Sequence, residues 1–166
     1  HKAYGMKIII TRMFSHEGTR RGKQFALSSF AHQIVKWEKS KDFPMDAPMS
    51  GHPIKHGNLD STRTYNHIED AIRAYWLCSE SDKFGEVYNI GGDYTCTVGD
   101  ALDMLISKSE QPNAFCKELD SKRVRPTDIT LQIPDTNKFK NEFGWKPKKD
   151  LTHICDDLLN YWREVL

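Results

Sequence analysis

The stretch from residue 7 to residue 25, "KIIITRMFSHEGTRRGKQF", decides the fold class of this 166-residue chain. The unbroken run Ile8-Ile9-Ile10 predicts a strand that is buried on both faces, as in the middle of a parallel sheet. The apolar run ends in a polar turn that carries two adjacent arginines, Arg20 and Arg21, between glycines. Because ligands of open α/β sheets bind beyond the carboxyl ends of the strands, this arginine pair predicts an anion site at that edge.

The composition is typical of a soluble globular domain, with 38% hydrophobic and 28% charged residues. The net charge is +1, so a basic site must be local, and nucleic acid is not an expected partner. No apolar run approaches the roughly 20 residues of a membrane span, and no membrane partner is expected. The four cysteines are far apart and predict reduced thiols in the cytoplasm. His52 and His56 have i,i+4 spacing but flank Pro53, so no metal site is expected.

Apolar periodicity and capping residues predict five helices. The first follows the arginine loop and ends near Lys39, and a small helix after Asp135 ends at Gly144. The other three helices are predicted to start at the pair Asn66 and Glu69, at the pair Thr97 and Asp100, and at Asp150. The second helix is expected to bury one apolar face, formed by Ile68, Ala71, Ile72 and Tyr75.

Short β-like segments alternate with these helices, which indicates an α/β or α+β class. They cover about residues 7–14, 54–66, 86–92, 114–120 and 128–134. Residues 40–57, rich in proline and glycine, predict a long irregular loop with a functional role. The opening "HKAYG" is interpreted as the end of a helix whose earlier turns would precede residue 1, so the chain is expected to be the second part of a larger protein.

Arginines recur on three connecting segments that follow strand-like runs. They are the Arg20-Arg21 pair, Arg63, and the segment "KRVRPTD" with Arg123 and Arg125. A guanidinium group matches phosphate oxygens two at a time, so together they predict a phosphorylated small-molecule ligand. No dinucleotide-binding glycine fingerprint and no nucleophile motif is present. His16 and Glu17 could act in acid–base chemistry or could simply shape the turn, and their spacing favours neither role.

Four segments together carry a resemblance to a known family. They are "KIIITRMFSHEGTRRGKQF", "GNLDSTRTYNHIEDAIRAYW", "EVYNIGG" and "RPTDITLQIPDTNKFKNEFGWKPK", in this order along nearly the whole chain. The chain resembles the C-terminal half of the extended short-chain dehydrogenase/reductase family that acts on nucleotide sugars, and within it the GDP-mannose dehydratases. The resemblance implies an α/β fold: the C-terminal part of a Rossmann-type sheet, with strands at about 6–15 and 86–92, plus the smaller mixed α/β substrate-binding domain.

The resemblance also implies a reaction and a cofactor. GDP-mannose dehydratases use NADP: hydride leaves C4 of the sugar, water is lost across C5 and C6, and hydride returns to C6. The Tyr-x-x-x-Lys pair and the glycine loop of the family belong to the N-terminal domain, which this chain lacks. No catalytic residue is therefore assigned, and the fragment is expected to be inactive alone and to bind NADP or NAD weakly at most.

Several binding positions follow from the resemblance. Around the cofactor, Phe14, Ser15 and His16 would lie near the nicotinamide and the sugar, and Arg20 and Arg21 would reach the cofactor phosphate of a neighbouring subunit. The resemblance thereby implies a homo-oligomer.

For the nucleotide sugar, with a GDP-sugar favoured, Gly57 and Asn58 would border the base. Arg63 would hold the diphosphate, and Arg125 with Asp128 would hold the nucleotide phosphate and ribose.

The chain departs from the family pattern at several of these positions. Ser15 replaces an asparagine that contacts the sugar diphosphate, Thr64 and Tyr65 replace aspartate and tryptophan, and Asp128 shortens a glutamate. A nucleotide-sugar 4-epimerase and a 4-keto-6-deoxy-sugar reductase therefore remain alternatives. A further alternative, from a different class, is a non-catalytic module that binds nucleotide sugars or assembles with partners.

Overall fold

The computed structural model describes residues 1–40 and 51–166, which form a mixed α/β fold with parallel strand pairs. The fold class predicted from the sequence is confirmed. The strands are β1 (Ile10–Met13), β2 (His16–Glu17), β3 (His52–His56), β4 (Thr62–His67), β5 (Val87–Ile90), β6 (Tyr94–Thr97), β7 (Phe115–Leu119) and β8 (Leu131–Gln132). The α-helices are α1 (Ala26–Glu38), α2 (Ile68–Ser79), α3 (Val98–Ser107), α4 (Asn137–Phe143) and α5 (Leu151–Val165), and short 3₁₀ turns cover Pro112–Ala114 and Ser121–Arg123.

The prediction of an irregular loop for residues 40–57 is wrong at the C-terminal end of that range. His52–His56 form β3, which pairs in parallel with β7. Among the described residues β3 pairs with β7 alone, which leaves one row of its backbone groups outside the ladder, and Pro53 is tolerated in such a strand. The rest of the predicted loop, residues 41–50, lies outside the described residues.

The strands form three small sheets in the described part of the chain. β1 pairs in parallel with β5, and β3 pairs in parallel with β7. The third sheet has the order β2–β4–β6, and β8 also pairs with β4. In this sheet β6 runs antiparallel to β4, whereas β2 and β8 run parallel to it.

The expectation that the isoleucine run would be buried on both faces is wrong. The strand is limited to Ile10–Met13, and Ile10 is 52% exposed. Within the described residues β1 has β5 as its one partner, so its other edge carries no ladder. One side of this pair does pack, because Ile9 and Met13 lie against the cluster that contains Tyr88 and Ile90.

Two hydrophobic clusters hold the elements together. The larger one joins α1, α3 and α5 to Ile54 of β3 and Tyr65 of β4, and its members include Phe30, Leu102 and Leu158. The smaller one packs Tyr88 and Ile90 of β5 against α2 and α4, and contains Phe139 and Trp145. β4 thus lies beside the larger core, with its ends available to the connecting segments.

Helix ends follow the predicted capping residues in part. Thr97 and Asp100 form a capping box at α3, Asp150 caps α5, and Gly144 ends α4 with a left-handed φ of 60°. The start of α2 differs from the prediction, because His67 and not Asn66 is its N-cap and accepts from the Glu69 N–H. At α4 the N-cap is Thr136, while Asp135 accepts a hydrogen bond from the Asn137 N–H.

The predicted apolar face of α2 is confirmed at Ala71, which is buried, and is wrong at Ile72 and Tyr75. Ile72 is 59% exposed and Tyr75 is 44% exposed, and the adjacent Trp76 is 65% exposed. The helix instead buries the small residues Ala71, Ala74 and Cys78 together with Asp70. Small side chains let α2 approach β4 closely, and its large apolar residues remain on the outside.

Asp70 ties α2 to the segment that leads into α5. Its carboxylate accepts the backbone N–H groups of Lys148 and Lys149, each at 2.9 Å, and pairs with Arg73 at 2.5 Å. Burial alone would raise the pKa of Asp70, but these hydrogen bonds outweigh it and hold the pKa below its ordinary value. The indole of Trp145 also donates to the Asp70 carbonyl, at 3.3 Å.

We predict that Asp70→Ala lowers the free energy of unfolding by about 2–4 kcal/mol, because two backbone N–H groups and Arg73 lose their acceptor in a buried place. Urea denaturation of the purified chain measures this change. Asp103→Ala is the matched control, since Asp103 pairs with Lys117 on the surface with a side chain that is 60% exposed. Equal effects of the two substitutions would contradict the prediction.

Candidate functional site: a basic cleft beside β4

A cleft of about 860 Å³ lies beside β4 and collects the connecting segments that carry arginine. Arg63 and Tyr65 of β4 line it together with the ends of β2 and β3 and with the segment 122–129. Of the residues assigned to binding from the resemblance, the cleft brings together Ser15, Arg21, Gly57, Asn58, Arg63, Arg125 and Asp128.

A hydrogen-bonded network at the mouth of the cleft holds Arg63. Its guanidinium group donates to the Thr62 carbonyl at 2.9 Å and to Asp128 Oδ1 at 3.2 Å. The other Asp128 oxygen accepts from the Ser61 hydroxyl at 2.6 Å and from the Asn58 amide at 3.2 Å. The Ser61 hydrogen bond lowers the pKa of Asp128 most, and the nearby Arg63 lowers it further, so this carboxylate is ionised at neutral pH.

The same network shows that Asn58 is a positioning residue for the loop. Its side-chain oxygen accepts from the Asp60 N–H at 2.9 Å, and its amide nitrogen donates to both Ser61 and Asp128. Asp128 contacts Arg63 directly, whereas the resemblance paired it with Arg125. Arg125 is exposed and, among the described residues, makes no ion pair.

Gly57 fits where a side chain would not. A Cβ atom at this position would lie 2.4 Å from the carbonyl oxygen of Arg123, which belongs to the backbone and cannot simply rotate away. The end of β3 and the turn Ser121–Arg123 therefore pack backbone to backbone, and this contact closes one side of the cleft.

The cleft walls carry more positive than negative charge. Five basic side chains line them, against the two acidic side chains of Glu17 and Asp128. Arg123 is held in place by Asp120 at 3.3 Å and by the Ser29 hydroxyl at 2.9 Å. The five basic residues are Arg21, Arg63, Lys122, Arg123 and Arg125.

Glu17 and Arg21 also line the cleft. Glu17 is only 6% exposed, and its Oε2 lies 3.5 Å from Arg21 Nε, too poorly aligned for a hydrogen bond. The Arg21 guanidinium carbon lies 3.4 Å from the centroid of the Phe25 ring, a cation–π stack that fixes its plane. Burial raises the pKa of Glu17 to about 7, although the charge of Arg21 opposes the shift.

Three residues assigned from the resemblance do not line the cleft. Arg20 is exposed, and its φ of 65° is the left-handed value that non-glycine residues rarely adopt. The chain turns between the two adjacent arginines, and Arg21 lines the cleft whereas Arg20 does not. That both would reach the cofactor phosphate of a neighbouring subunit stays a prediction. Phe14 donates its N–H to the Ile90 carbonyl of β5, and the His16 ring contacts the Phe14 carbonyl at 3.1 Å within the same turn.

The sequence reasoning missed two groups of the cleft. Ser61, 1% exposed, provides the shortest hydrogen bond to Asp128, and Arg123 was named without a role. A small hydroxyl residue in a polar segment gives no periodic signal. For Arg123, the available signal was its place two residues before Arg125 on a segment already identified as basic.

Comparison with known proteins identifies the family of the chain. The family model described as GDP-mannose 4,6 dehydratase matches residues 1–158. The chain belongs to this family. It is 25% identical to GDP-mannose 4,6 dehydratase of Homo sapiens over 178 aligned positions, which cover 96% of this chain and 45% of the human protein.

Other members of the wider group are similar over the same length. GDP-6-deoxy-D-mannose reductase of Pseudomonas aeruginosa is 21% identical, with 95% of this chain and 49% of that protein covered. The solved structure of RMD from Pseudomonas aeruginosa complexed with NADPH superposes with a TM-score of 0.79 at 17% identity, covering 99% of this chain and 51% of the other. The chain thus spans about half the length of the curated relatives it matches, and the resemblance inferred from the sequence is confirmed.

One cluster of this GDP-mannose 4,6-dehydratase family member resembles a metal site. Ligand atoms of His67, Glu69 and Asp157 lie within 4.8 Å of one another. However, His67 Nδ1 accepts from the Glu69 N–H while Nε2 donates to Asp157 at 2.8 Å, so both ring nitrogens are used. Glu69 in turn pairs with Lys149 at 2.9 Å. Hydrogen bonds within the protein account for the cluster.

Among the helices in residues 1–40 and 51–166, none combines the length and the apolar character needed to cross a bilayer.

We predict that Glu17 gives the stability of the chain a specific pH dependence. The pKa of Glu17 rises from an ordinary 4.5 to about 7 on folding, so the folded state binds the extra proton, and stability falls as the pH rises from 4.5 through 7. Between pH 5 and pH 8 the loss attributable to this group is about 2 kcal/mol. Urea denaturation at several pH values measures it.

Glu17→Gln should remove that component and leave a flatter profile. Glu164→Gln, at an exposed position of α5, serves as the control and should retain the wild-type profile. Parallel profiles for wild type and Glu17→Gln would show that the carboxyl is not held protonated.

Proposed function

We propose that this chain is the substrate-binding half of an NADP-dependent nucleotide-sugar dehydratase, of the class that converts GDP-mannose to GDP-4-keto-6-deoxymannose. The observation that carries the proposal is the cleft, in which Arg63 is held by Asp128 beside three further arginines. The family membership supports the same class of substrate.

The chemistry of the mouth of the cleft suits a nucleoside diphosphate. Arg63 uses two of its five guanidinium N–H groups on Thr62 and Asp128, which leaves three for phosphate oxygens. Arg125 and Arg123 add positive charge on the opposite segment, and the Asp128 oxygens can accept hydrogen bonds from ribose hydroxyls. Gly57 and Asn58 shape the rim on which the base would lie.

We assign the hydride and proton transfers to the N-terminal domain that the resemblance implies for the complete enzyme. Our domain proposal treats residues 1–166 as one substrate-binding unit, in which β1 and β5 are residual strands of a dinucleotide-binding sheet. Under this proposal the isolated chain is inactive and binds NADP or NAD weakly at most, and Phe14, Ser15 and His16 approach the cofactor only in the complete enzyme. The proposed cellular location is the cytoplasm.

A reductase of 4-keto-6-deoxy sugars is the second candidate. The similarity to GDP-6-deoxy-D-mannose reductase supports it. Ser15, in place of the asparagine that the resemblance implies, leaves this reductase and a 4-epimerase open as alternatives. Both candidates would bind a GDP-sugar in the same cleft, so they would differ in the chemistry of the N-terminal domain and not in the contacts proposed for Arg63.

We predict that the chain binds GDP and that Arg63→Ala weakens the binding roughly 10- to 100-fold, the value of a charge-assisted hydrogen bond of about 1.5–3 kcal/mol. Isothermal titration calorimetry measures both affinities. Arg12→Ala removes the same charge from an exposed position of β1 outside the cleft and is the matched control. An unchanged affinity in Arg63→Ala would exclude Arg63 from the site.

We predict further that the chain forms a homo-oligomer in solution. β1 offers an unpaired edge among the described strands, and Met6, Ile10 and Trp76 are each more than half exposed. Light scattering coupled to gel filtration should give at least twice the 19.2 kDa of one chain. The Ile10→Lys variant should shift the population toward the monomer, since a charge at the edge opposes pairing. A monodisperse wild-type monomer would contradict the prediction.

A further inference from the structure

The outer face of α2 exposes three large apolar side chains in one patch. Trp76 is 65% exposed, Ile72 is 59% exposed and Tyr75 is 44% exposed. Ile72 and Trp76 are four residues apart on the helix, and Tyr75 is three residues from Ile72, so the three side chains are neighbours. None of them belongs to either hydrophobic cluster of the described residues, and none lines the cleft.

The patch has the size of an interaction surface. A whole aromatic side chain covers roughly 150–250 Å², so at these exposed fractions the three side chains present on the order of 300–400 Å² of surface. Single exposed apolar residues are common, whereas a contiguous patch of this size on a soluble protein marks a binding surface. It amounts to almost half of the roughly 800 Å² that each partner buries in a stable dimer. The charged residues around the patch would contribute the rest.

The two ends of the patch carry opposite charges. At the C-terminal end of α2, Glu80 and Asp82 are exposed, and Glu80 lies four residues after Trp76 on the same side of the helix. Lys148 is exposed beside the N-terminal end, where its backbone N–H donates to the Asp70 carboxylate at 2.9 Å. Within residues 1–40 and 51–166, neither the two acidic residues nor Lys148 makes an ion pair.

A second copy of the chain presents this order of charges in reverse. When two α2 helices pack antiparallel about a two-fold axis at Ala74, Ile72 of one copy faces Trp76 of the other. Glu80 is six residues beyond that axis, roughly 9 Å at the rise of a helix. It therefore reaches the first turn of the other α2, beside Lys148 of the second copy. The same ion pair forms at the opposite end, because a two-fold contact repeats every interaction.

Other classes of occupant fit these charges less well. A nucleic acid or an anionic membrane would meet Glu80 and Asp82 with like charge at one end of the patch, and so would an acidic peptide. A partner that matches both ends must carry both signs in the reverse order. A second copy has that order by symmetry.

We propose that the outer face of α2 is a homodimer interface, in which two α2 helices pack antiparallel with Ile72 and Trp76 at the centre and a Glu80–Lys148 ion pair at each end. This surface differs from the open edge of β1, and the two contacts together would give an assembly larger than a dimer. The interface goes beyond the proposed function, because it does not involve the nucleotide cleft.

Sedimentation velocity over a concentration series measures the dimer, with every variant made in the Ile10→Lys chain so that the β1 edge does not contribute. The Ile10→Lys chain should still dimerise. Trp76→Ala should weaken the dimer at least tenfold, as expected for an aromatic side chain at the centre of an interface. Leu119→Ala removes an apolar side chain of similar exposure, 64%, from the end of β7 and is the matched control.

Two outcomes of this measurement would overturn the interface. One is an Ile10→Lys chain that stays monomeric at every concentration. The other is a dimer that Trp76→Ala leaves unchanged, which would give the face of α2 to another occupant. Thermal melting should show that the variants are folded, since each substituted side chain is largely exposed.

Charge reversal tests the antiparallel orientation. Glu80→Lys and Lys148→Glu should each weaken self-association about fivefold or more, because each places like charges together at both ends. An equimolar mixture of the two variants should form a heterodimer with an affinity within about twofold of the Ile10→Lys dimer, because opposite charges meet again at both ends. Glu118→Lys, at an exposed position of β7, is the control and should change nothing.

Native mass spectrometry distinguishes the heterodimer from the two homodimers. A mixture with no preference for the heterodimer would overturn the antiparallel interface.

The interface and the proposed function fail separately. Trp76 lies outside the cleft, so Trp76→Ala should bind GDP as the Ile10→Lys chain does. If GDP does not bind but the charge-reversed variants prefer each other, the interface stands and the proposed function is wrong. If GDP binds through Arg63 and the charge-reversed variants show no preference, the proposed function stands and the interface is wrong.

Discussion

The pairing of β4 with three strands is the constraint on which the cleft depends. β6 and β8 both pair with Thr62 and Arg63, and β2 pairs with Asn66 and His67 at the other end of the strand. The Thr62 N–H donates to the Thr130 carbonyl at 2.8 Å, and the Asn66 N–H donates to the Ser15 carbonyl at 2.9 Å. These bonds bring segments more than 100 residues apart in the sequence to the two ends of one short strand.

The charged side chains at the two ends of β4, Arg63 at one end and Glu17 beside the other, have different hydrogen-bonding environments. Arg63 donates to a backbone carbonyl and to the Asp128 carboxylate, which in turn accepts from a hydroxyl and an amide, so the guanidinium group is oriented before any ligand arrives. At Glu17 the protein supplies one poorly aligned guanidinium, and desolvation outweighs it. The first arrangement stabilises the fold, whereas the second costs stability at neutral pH, and a cost of this kind is typical of groups retained for binding.

The sequence predicted most reliably the elements whose signal is local. α1, α3 and α5 follow apolar periodicity, and the Thr97–Asp100 capping box needs only its own turn. α2 differs from the prediction because it buries the small residues Ala71 and Ala74 and leaves Ile72 and Tyr75 exposed. Periodicity alone cannot show which of two possible faces a helix buries when one of them is small and the other large.

In the candidate site, the motif order identified the cleft-forming segments but not which side chain of each segment faces the cleft. Arg20 and Arg21 are equivalent in sequence, and the left-handed backbone at Arg20 separates them. Ser15 is a sharper case, because consecutive residues link two sheets there: Phe14 bonds to Ile90 of β5, and Ser15 bonds to Asn66 of β4. The backbone at position 15 is thereby held from both sides, so exchanging asparagine for serine changes how far the side chain reaches into the cleft and leaves its starting point unchanged. Under the proposed function, a shorter side chain at position 15 leaves more of the diphosphate recognition to Arg63, which the Asp128 carboxylate already orients.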